Sequence, residues 1–204
     1  MFAVIEGIEG SGKSTLQAGV AEVLRARGRR VTTTREPGGS PLGDAIRAIF
    51  LSPELEVAPV AEAMLVSAAR VQHIAALIRP ALARGETVIC DRFVDSTLAY
   101  QGYGRGLDLA MLRGLCDLAV GALVVDVTIV LDCEPNLSRY RLDERGSARD
   151  RLENENAGFH ERVREGFLAL ARGSERHVVL DAADSREALV VAALDAIEGA
   201  TTRG

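Results

Sequence analysis

Short apolar, β-branched runs alternate with amphipathic segments along the whole chain, and that alternation predicts an α/β fold, a parallel five-stranded sheet flanked by helices. A glycine-rich turn between the first run and the first helical segment supports this. So does the balance of 48% hydrophobic and 26% charged residues over 204 positions, which suits one soluble domain with a core large enough to need no disulfides or metals. A single domain over residues 1–204 is expected.

The elements follow in order. Phe2 to Glu6 is an apolar run ended by glycine and reads as a buried strand. Leu16, Val20, Val23 and Leu24 give Ser14 to Arg27 helical spacing, closed by Gly28. Val31 to Thr34 is a second strand. Two prolines and two glycines make the stretch Arg35 to Pro41 a loop, before a short helix from Leu42 to Leu51. Pro59 to Arg84 reads as a long helix, bent at Pro80. Thr87 to Cys90 is a strand running into Asp91 and Arg92, Leu107 to Val120 a helix, and Val124 to Leu131 the most strand-like run. A helix from Asn136 to Leu142, a charged loop from Asp143 to Asp150, a helix from Leu152 to Arg172, a strand from His177 to Leu180 and a helix from Ser185 to Glu198 complete the chain. Ligands on such sheets bind beyond the carboxyl ends of the strands, which directs attention to the loops after Glu6, Thr34, Cys90 and Leu131.

Composition excludes several classes. A net charge of −5 argues against bulk attraction to nucleic acid or an acidic membrane. No signal peptide is visible, and no apolar run is expected to reach the length of a membrane span. Cys90, Cys116 and Cys133 lack paired or metal-ligand spacing and read as reduced, buried thiols of a cytoplasmic protein.

The segment Gly7-Ile8-Glu9-Gly10-Ser11-Gly12-Lys13-Ser14 fits G-x-x-x-x-G-K-[ST], and Thr15 follows it into the helix. Phosphates must approach the backbone closely, so glycines remove β-carbons there. The amide hydrogens form an anion nest at the positive end of the helix. Lys13 reaches the β- and γ-phosphates of ATP, and the Ser14 hydroxyl is placed for Mg²⁺. The bland alternative, a glycine-rich turn without a ligand, does not explain the position between a first strand and a first helix. Switch proteins and motors share this loop, so it does not by itself specify a kinase. The segment Asp91-Arg92 closes another apolar strand. Asp91 is placed for the metal or its water, and Arg92 for a second phosphate. Arg35, Arg47 and Arg70 lie near the same sheet edge.

The set Gly-Ile-Glu-Gly-Ser-Gly-Lys-Ser, Thr-Arg-Glu-Pro-Gly-Gly, Ala-Ala-Arg, Asp-Arg-Phe-x-x-Ser-Thr-x-Ala-Tyr-Gln-Gly and Asp-Arg-Leu-Glu resembles the thymidylate kinases, from Phe2 to about Ala182. The resemblance implies a P-loop fold of the nucleoside-monophosphate kinase type and transfer of the γ-phosphoryl of ATP to dTMP, with Mg²⁺, in dTTP biosynthesis. It implies that Arg92, Arg35 and Arg47 hold the dTMP phosphate, beside the loop residues Glu36 and Pro37 and beside Ser96. Arg70, Thr97 and Gln101 would meet the thymine, Tyr100 would disfavour a ribose, and Glu9 would lie near the acceptor sugar and the metal. A homodimer packed through helices such as Pro59–Arg84 is also implied. One departure stands out: Val66 occupies the position where the family carries a phenylalanine that stacks on the base.

The loop from Asp143 to Arg151 is dense in charge and reads as a lid over residues 143–153. In this family a catalytic arginine comes from the phosphate loop or from the lid. Ser11 occupies the loop position, so the lid should supply it, as in the bacterial subclass. The candidates are Arg145, Arg149 and Arg151; Arg151 matches the family's Asp-Arg-Leu-Glu segment best and Arg149 is second. Another nucleoside-monophosphate or deoxynucleoside kinase remains the alternative, and a nucleotide-binding switch that has lost transfer a third.

Overall fold

The computed structural model of the chain describes residues 1–146 and 148–201. Five strands, β1 (Phe2–Glu6), β2 (Val31–Arg35), β3 (Thr87–Asp91), β4 (Val127–Asp132) and β5 (His177–Asp181), form one parallel sheet in the order β2-β3-β1-β4-β5. The expected parallel five-stranded sheet is thus observed. Both faces are covered. Ala3 and Ile5 of β1 join a cluster with Leu16 and Val20 of α1 (Lys13–Ala26) and with Ala193 and Leu194 of α9 (Arg186–Thr201). Phe2 and Val4, alternating with them, join Ile74, Ile78 and Phe93 on the other side. Burial on both faces is why these strands read as continuous apolar runs.

α2 (Pro41–Leu51) starts at Ser40, whose hydroxyl accepts from the Gly43 amide. The long helix is three pieces: α3 (Pro59–His73), a π-helical stretch (Ile74–Ile78) and α4 (Arg79–Ala83). Pro80 cannot donate to the preceding turn, and the widened π turn before it accommodates the ring. Contrary to the sequence expectation, Pro59–Ala83 has a span-like length of 25 residues, and its most apolar 18-residue window has a mean hydropathy of 1.2, but half of that window is buried inside the fold.

Sequence periodicity does not reveal the helix after Arg92, comprising α5 (Val94–Thr97) and a π-helical stretch (Leu98–Gly104). It starts with β-branched Val94 and Thr97 and carries glycines at 102 and 104, and its first amides are bound by a carboxylate distant in sequence: Glu6 Oε1 accepts from Phe93 N (2.8 Å) and Ser96 N (3.1 Å). α6 (Leu109–Val120), α7 (Pro135–Glu144) and α8 (Ala157–Ala171) follow. α8 begins later than expected because Asn156 caps it, its side chain accepting from Phe159 N. The preceding residues turn around Asp150, whose Oδ1 accepts from Leu152 N and Glu153 N, each at 2.9 Å. α7 also runs into the segment expected to be a loop. Of the lid, Ser147 lies outside the described residues. Cys90, Cys116 and Cys133 are free and buried.

Candidate active site

A cavity of about 430 Å³ opens at the carboxyl ends of β1, β2 and β3. Its donor side is the loop from Gly7 to Ser14. Gly7 (φ 142°) and Gly10 (φ 69°) have no room for side chains. A Cβ on Gly7 would lie 2.6 Å from the Leu131 carbonyl oxygen, and one on Gly10 2.6 Å from that of Ser138. Lys13 folds back over the loop and donates to the Ile8 carbonyl (2.7 Å). Burial and the Arg92 charge pull its pKa down to about 8, although Asp91, Glu9 and Glu6 favour the charged form. Gly10, Gly12, Lys13, Ser14 and Thr15 line the cavity. Gly7, Ile8 and Ser11 lie behind it: Ile8 is buried in the core, and the Ser11 hydroxyl is buried without a hydrogen-bond partner.

Ser14 Oγ donates to Asp91 Oδ2 (2.9 Å), and Asp91 Oδ1 is buried with no hydrogen-bond partner. This pair of hard oxygen donors with a spare lone pair fits Mg²⁺, which takes one or two protein oxygens and completes its shell with phosphates and water. Among the described residues no group of three His, Cys, Asp or Glu could hold a metal alone.

The acceptor side is built around Arg92. Its φ of 70° is the left-handed conformation uncommon for a side-chain-bearing residue. Glu6 braces that turn, binding the next amides and Ser96 Oγ (2.6 Å), which in turn accepts from Arg92 Nη1 (3.1 Å). Arg92 Nη2 donates to Glu9 Oε1 (2.8 Å) and to the Tyr100 hydroxyl (3.1 Å), and Tyr100 donates to Glu9 Oε2 (2.6 Å). Burial works against the Glu9 carboxylate, but Arg92, Lys13 and Tyr100 outweigh it and hold its pKa below the usual value. Burial pushes the Tyr100 phenol well up, so it stays a neutral donor. Glu6 is pushed up to about 7, by burial and then by Asp95, against its hydrogen bond from Ser96 and the Arg92 charge.

Arg35, Arg47 and Pro37 line the cavity beside Arg92, and Arg47 Nη1 donates to the Pro37 carbonyl (3.1 Å). Burial and repulsion from Arg35 and Arg92 lower the Arg47 pKa. Among the described residues neither Arg35 nor Arg47 has a carboxylate within salt-bridge distance. Three cations held together against their repulsion make an anion site. Glu36 is turned to Arg70 instead: Arg70 Nε donates to Glu36 Oε2 (2.7 Å), and Nη2 to Phe93 O (2.8 Å) and Thr97 Oγ1 (3.0 Å). Burial opposes the Arg70 charge, but Glu36 raises its pKa overall. Arg70 Nη1 has only a 3.7 Å contact with Cys116 Sγ. Val66, Phe50, Leu51, Phe93 and Gln101 complete this end.

The thymidylate kinase family model matches residues 5–193. The chain belongs to that family. It is similar to the thymidylate kinase of Deinococcus radiodurans, 48% identical over 95% of this chain and 96% of that one. It is also similar to that of Geobacter sulfurreducens, at 47% over 96% and 95%. In structure it is similar to a thymidylate kinase from Ehrlichia chaffeensis, with a TM-score of 0.77 and 30% identity over 97% and 98% of the two chains.

For a member of this family the placement of the lid arginines is informative. Neither Arg151 nor Arg149, the two favoured by sequence, lines the cavity. Arg151 donates to Phe50 O and pairs with Glu62, and Arg149 pairs with Asp143. A buried carboxylate and a helix-end carbonyl outcompete the cavity for Arg151. Arg145, the third candidate, does line it, held by Glu153 (2.9 Å), and so does Arg141 of α7, which the sequence did not single out. Glu6 and Glu62 were also missed. The available signal was a carboxylate ending one apolar strand and another interrupting an apolar helix face. Near Val66, the family's missing aromatic has neighbours in Phe50 and Phe93, whereas Tyr103 packs on Gly166 of α8.

Proposed function

We propose that this chain transfers the γ-phosphoryl of ATP to dTMP, giving dTDP and ADP on the route to dTTP, as a cytoplasmic, Mg²⁺-dependent homodimer of single domains spanning residues 1–204. The observation that carries the reading is one cavity in which a complete phosphate loop faces a second, independent cluster of cations. Two phosphate sites in one cavity suit transfer between two phosphorylated molecules, where the work is positioning and charge neutralisation.

The loop amides from Gly10 to Thr15 and the amino end of α1 hold the ATP phosphates, and Lys13 leaves Ile8 for the β,γ-bridge. Arg92, Arg35 and Arg47 hold the dTMP phosphate in line. Its attacking oxygen is already ionised near neutral pH, so no general base is needed. Arg145 and Arg141, on the wall formed by α7 and the lid, neutralise charge on the transferring group. Ser14 and Asp91 would hold Mg²⁺, which would supply positive charge against that of the phosphates. Arg70 Nη1 is the donor left for a thymine carbonyl, and Thr97 and Gln101 lie on the same edge. Phe50, Val66 and Phe93 form the apolar wall, and the Tyr100–Glu9 pair fills the space a ribose hydroxyl would need.

A dimer is supported by an apolar stripe over three contacting helices: Leu42 and Ile49 on α2, Val60, Met64 and Val71 on α3, and Met111 and Leu118 on α6, with Leu118 83% exposed. The deciding experiment is a substrate panel with ATP and Mg²⁺. dTMP is expected to be phosphorylated far faster than dUMP, UMP, dCMP or AMP, and a preference for any other acceptor overturns the reading.

A further inference from the structure

Helix α3 buries a complete carboxylate, Glu62, that neither phosphate site uses. A buried charge is costly unless it is paired and hydrogen-bonded, and Glu62 is both. Its Oε2 accepts from Gln101 Nε2 (3.0 Å) and Arg105 Nε (3.3 Å), and its Oε1 accepts from Arg105 Nη2 (3.0 Å) and from Arg151 Nη1.

Two of these partners lead into the base end of the cavity. Gln101 is 2% exposed and lines the cavity with Arg70 and Thr97. An ionised carboxylate only accepts, so Glu62 fixes the amide with its NH₂ inward and leaves the carbonyl oxygen Oε1 as the free group. Arg151 leads to the apolar wall. Its guanidinium stands 5.3 Å over the Phe50 ring and donates twice to the Phe50 carbonyl (3.1 and 2.9 Å), and its own amide donates to Leu51 O (3.1 Å). Phe50 and Leu51 both line the cavity with Val66.

We propose that Glu62 is the positioning residue for the acceptor base, holding Gln101 so that its carbonyl oxygen accepts from a ring N–H and holding the Phe50 wall through Arg151. The proposal rests on the pyrimidine-monophosphate reading given above. Thymine and uracil carry hydrogen on N3, whereas cytosine presents a lone pair there. A fixed carbonyl at Gln101 therefore selects 4-oxo pyrimidines against cytosine and is indifferent to the 5-methyl group. Arg151 is on this account a positioning residue for acceptor binding and does not touch the transferring phosphoryl group.

The test uses kcat/KM for dTMP, dUMP and dCMP in the parent and in Glu62→Gln, with folding checked by circular dichroism. A glutamine at 62 can present either end of its amide, so Gln101 is free to turn over. The dTMP/dCMP discrimination is expected to fall by about tenfold or more while the dTMP/dUMP ratio stays constant, because a site that no longer fixes its hydrogen-bond direction loses selectivity. A merely structural role would lower all three together, and an unchanged dTMP/dCMP ratio overturns the proposal. Arg151→Ala decides the matter if Glu62→Gln does not fold. Its KM for dTMP should rise about tenfold with kcat within about threefold. A collapse of kcat at unchanged KM would mean that Arg151 acts on the phosphoryl group and would overturn the proposal. A parent enzyme that prefers another monophosphate removes the functional reading itself, whereas a dTMP-preferring parent with unaltered ratios in Glu62→Gln removes only this inference.

Discussion

Nucleotide binding should draw a proton onto Lys13. Lys13 is 6% exposed, lies in Arg92's field and among the described residues donates to the Ile8 carbonyl, and its pKa is pulled from 10.5 to about 8. That gap corresponds to about 3 kcal/mol against the charged form. A lysine with a depressed folded-state pKa favours its neutral form. The stability it contributes is complete above pH 10.5 and is lost as pH falls through about 8. A bound triphosphate reverses the balance by supplying the missing negative charge and returns the pKa toward its ordinary value. Binding should therefore take up about half a proton at pH 8, about a tenth at pH 7 and about nine-tenths at pH 9. Affinity should fall about fivefold between pH 8 and pH 9 as the charged fraction shrinks. Isothermal titration with a non-hydrolysable ATP analogue and Mg²⁺, in phosphate and in Tris at each pH, reads the uptake directly. The nucleotide phosphates are already ionised over this range. Buffer-independent heats at pH 8 and 9, or the same uptake in Lys13→Met, would refute the reasoning.

Three other outcomes are expected. Arg145→Ala should lower kcat by about 10²–10³-fold with little change in the dTMP KM, because its charge is needed as the phosphoryl group moves, and Arg149→Ala should stay within a few-fold in steady-state assays. Glu6 has a raised pKa of about 7, so the stability it contributes is complete below its unfolded value and is lost as pH rises through about 7. Glu6→Gln should therefore melt above the parent at pH 8 and converge with it toward pH 5, and a lower melting temperature at pH 8 would show that the three hydrogen bonds need the charge. Met64→Glu places a carboxylate on the exposed apolar stripe and should yield monomers by light scattering; an unchanged mass would move the interface elsewhere.

The strands and the phosphate loop were legible in sequence because their causes are local. Apolar β-branched runs between turn residues specify buried strands, and glycines at 7, 10 and 12 state where backbone must meet phosphate. Asp91 and Arg92 could be found because they end such a run. Val66 was legible as a departure but not as a solved problem, since its neighbours Phe50 and Phe93 come from α2 and the loop after β3. The helix from Val94 was hidden because its first amides are bound by Glu6, 87 residues earlier than Phe93.

The lid marks the boundary most clearly. The family resemblance implied that a lid arginine serves the transfer, because Ser11 carries no charge in the loop and the stretch after Asp143 carries three arginines. Only the tertiary structure decided which of them is free to face the cavity. A guanidinium goes where desolvated carboxylates and carbonyls compete best for it, and that competition is set by partners far along the chain. Arg151 is claimed by Glu62 and Phe50, while Arg145 meets its carboxylate at the cavity's edge.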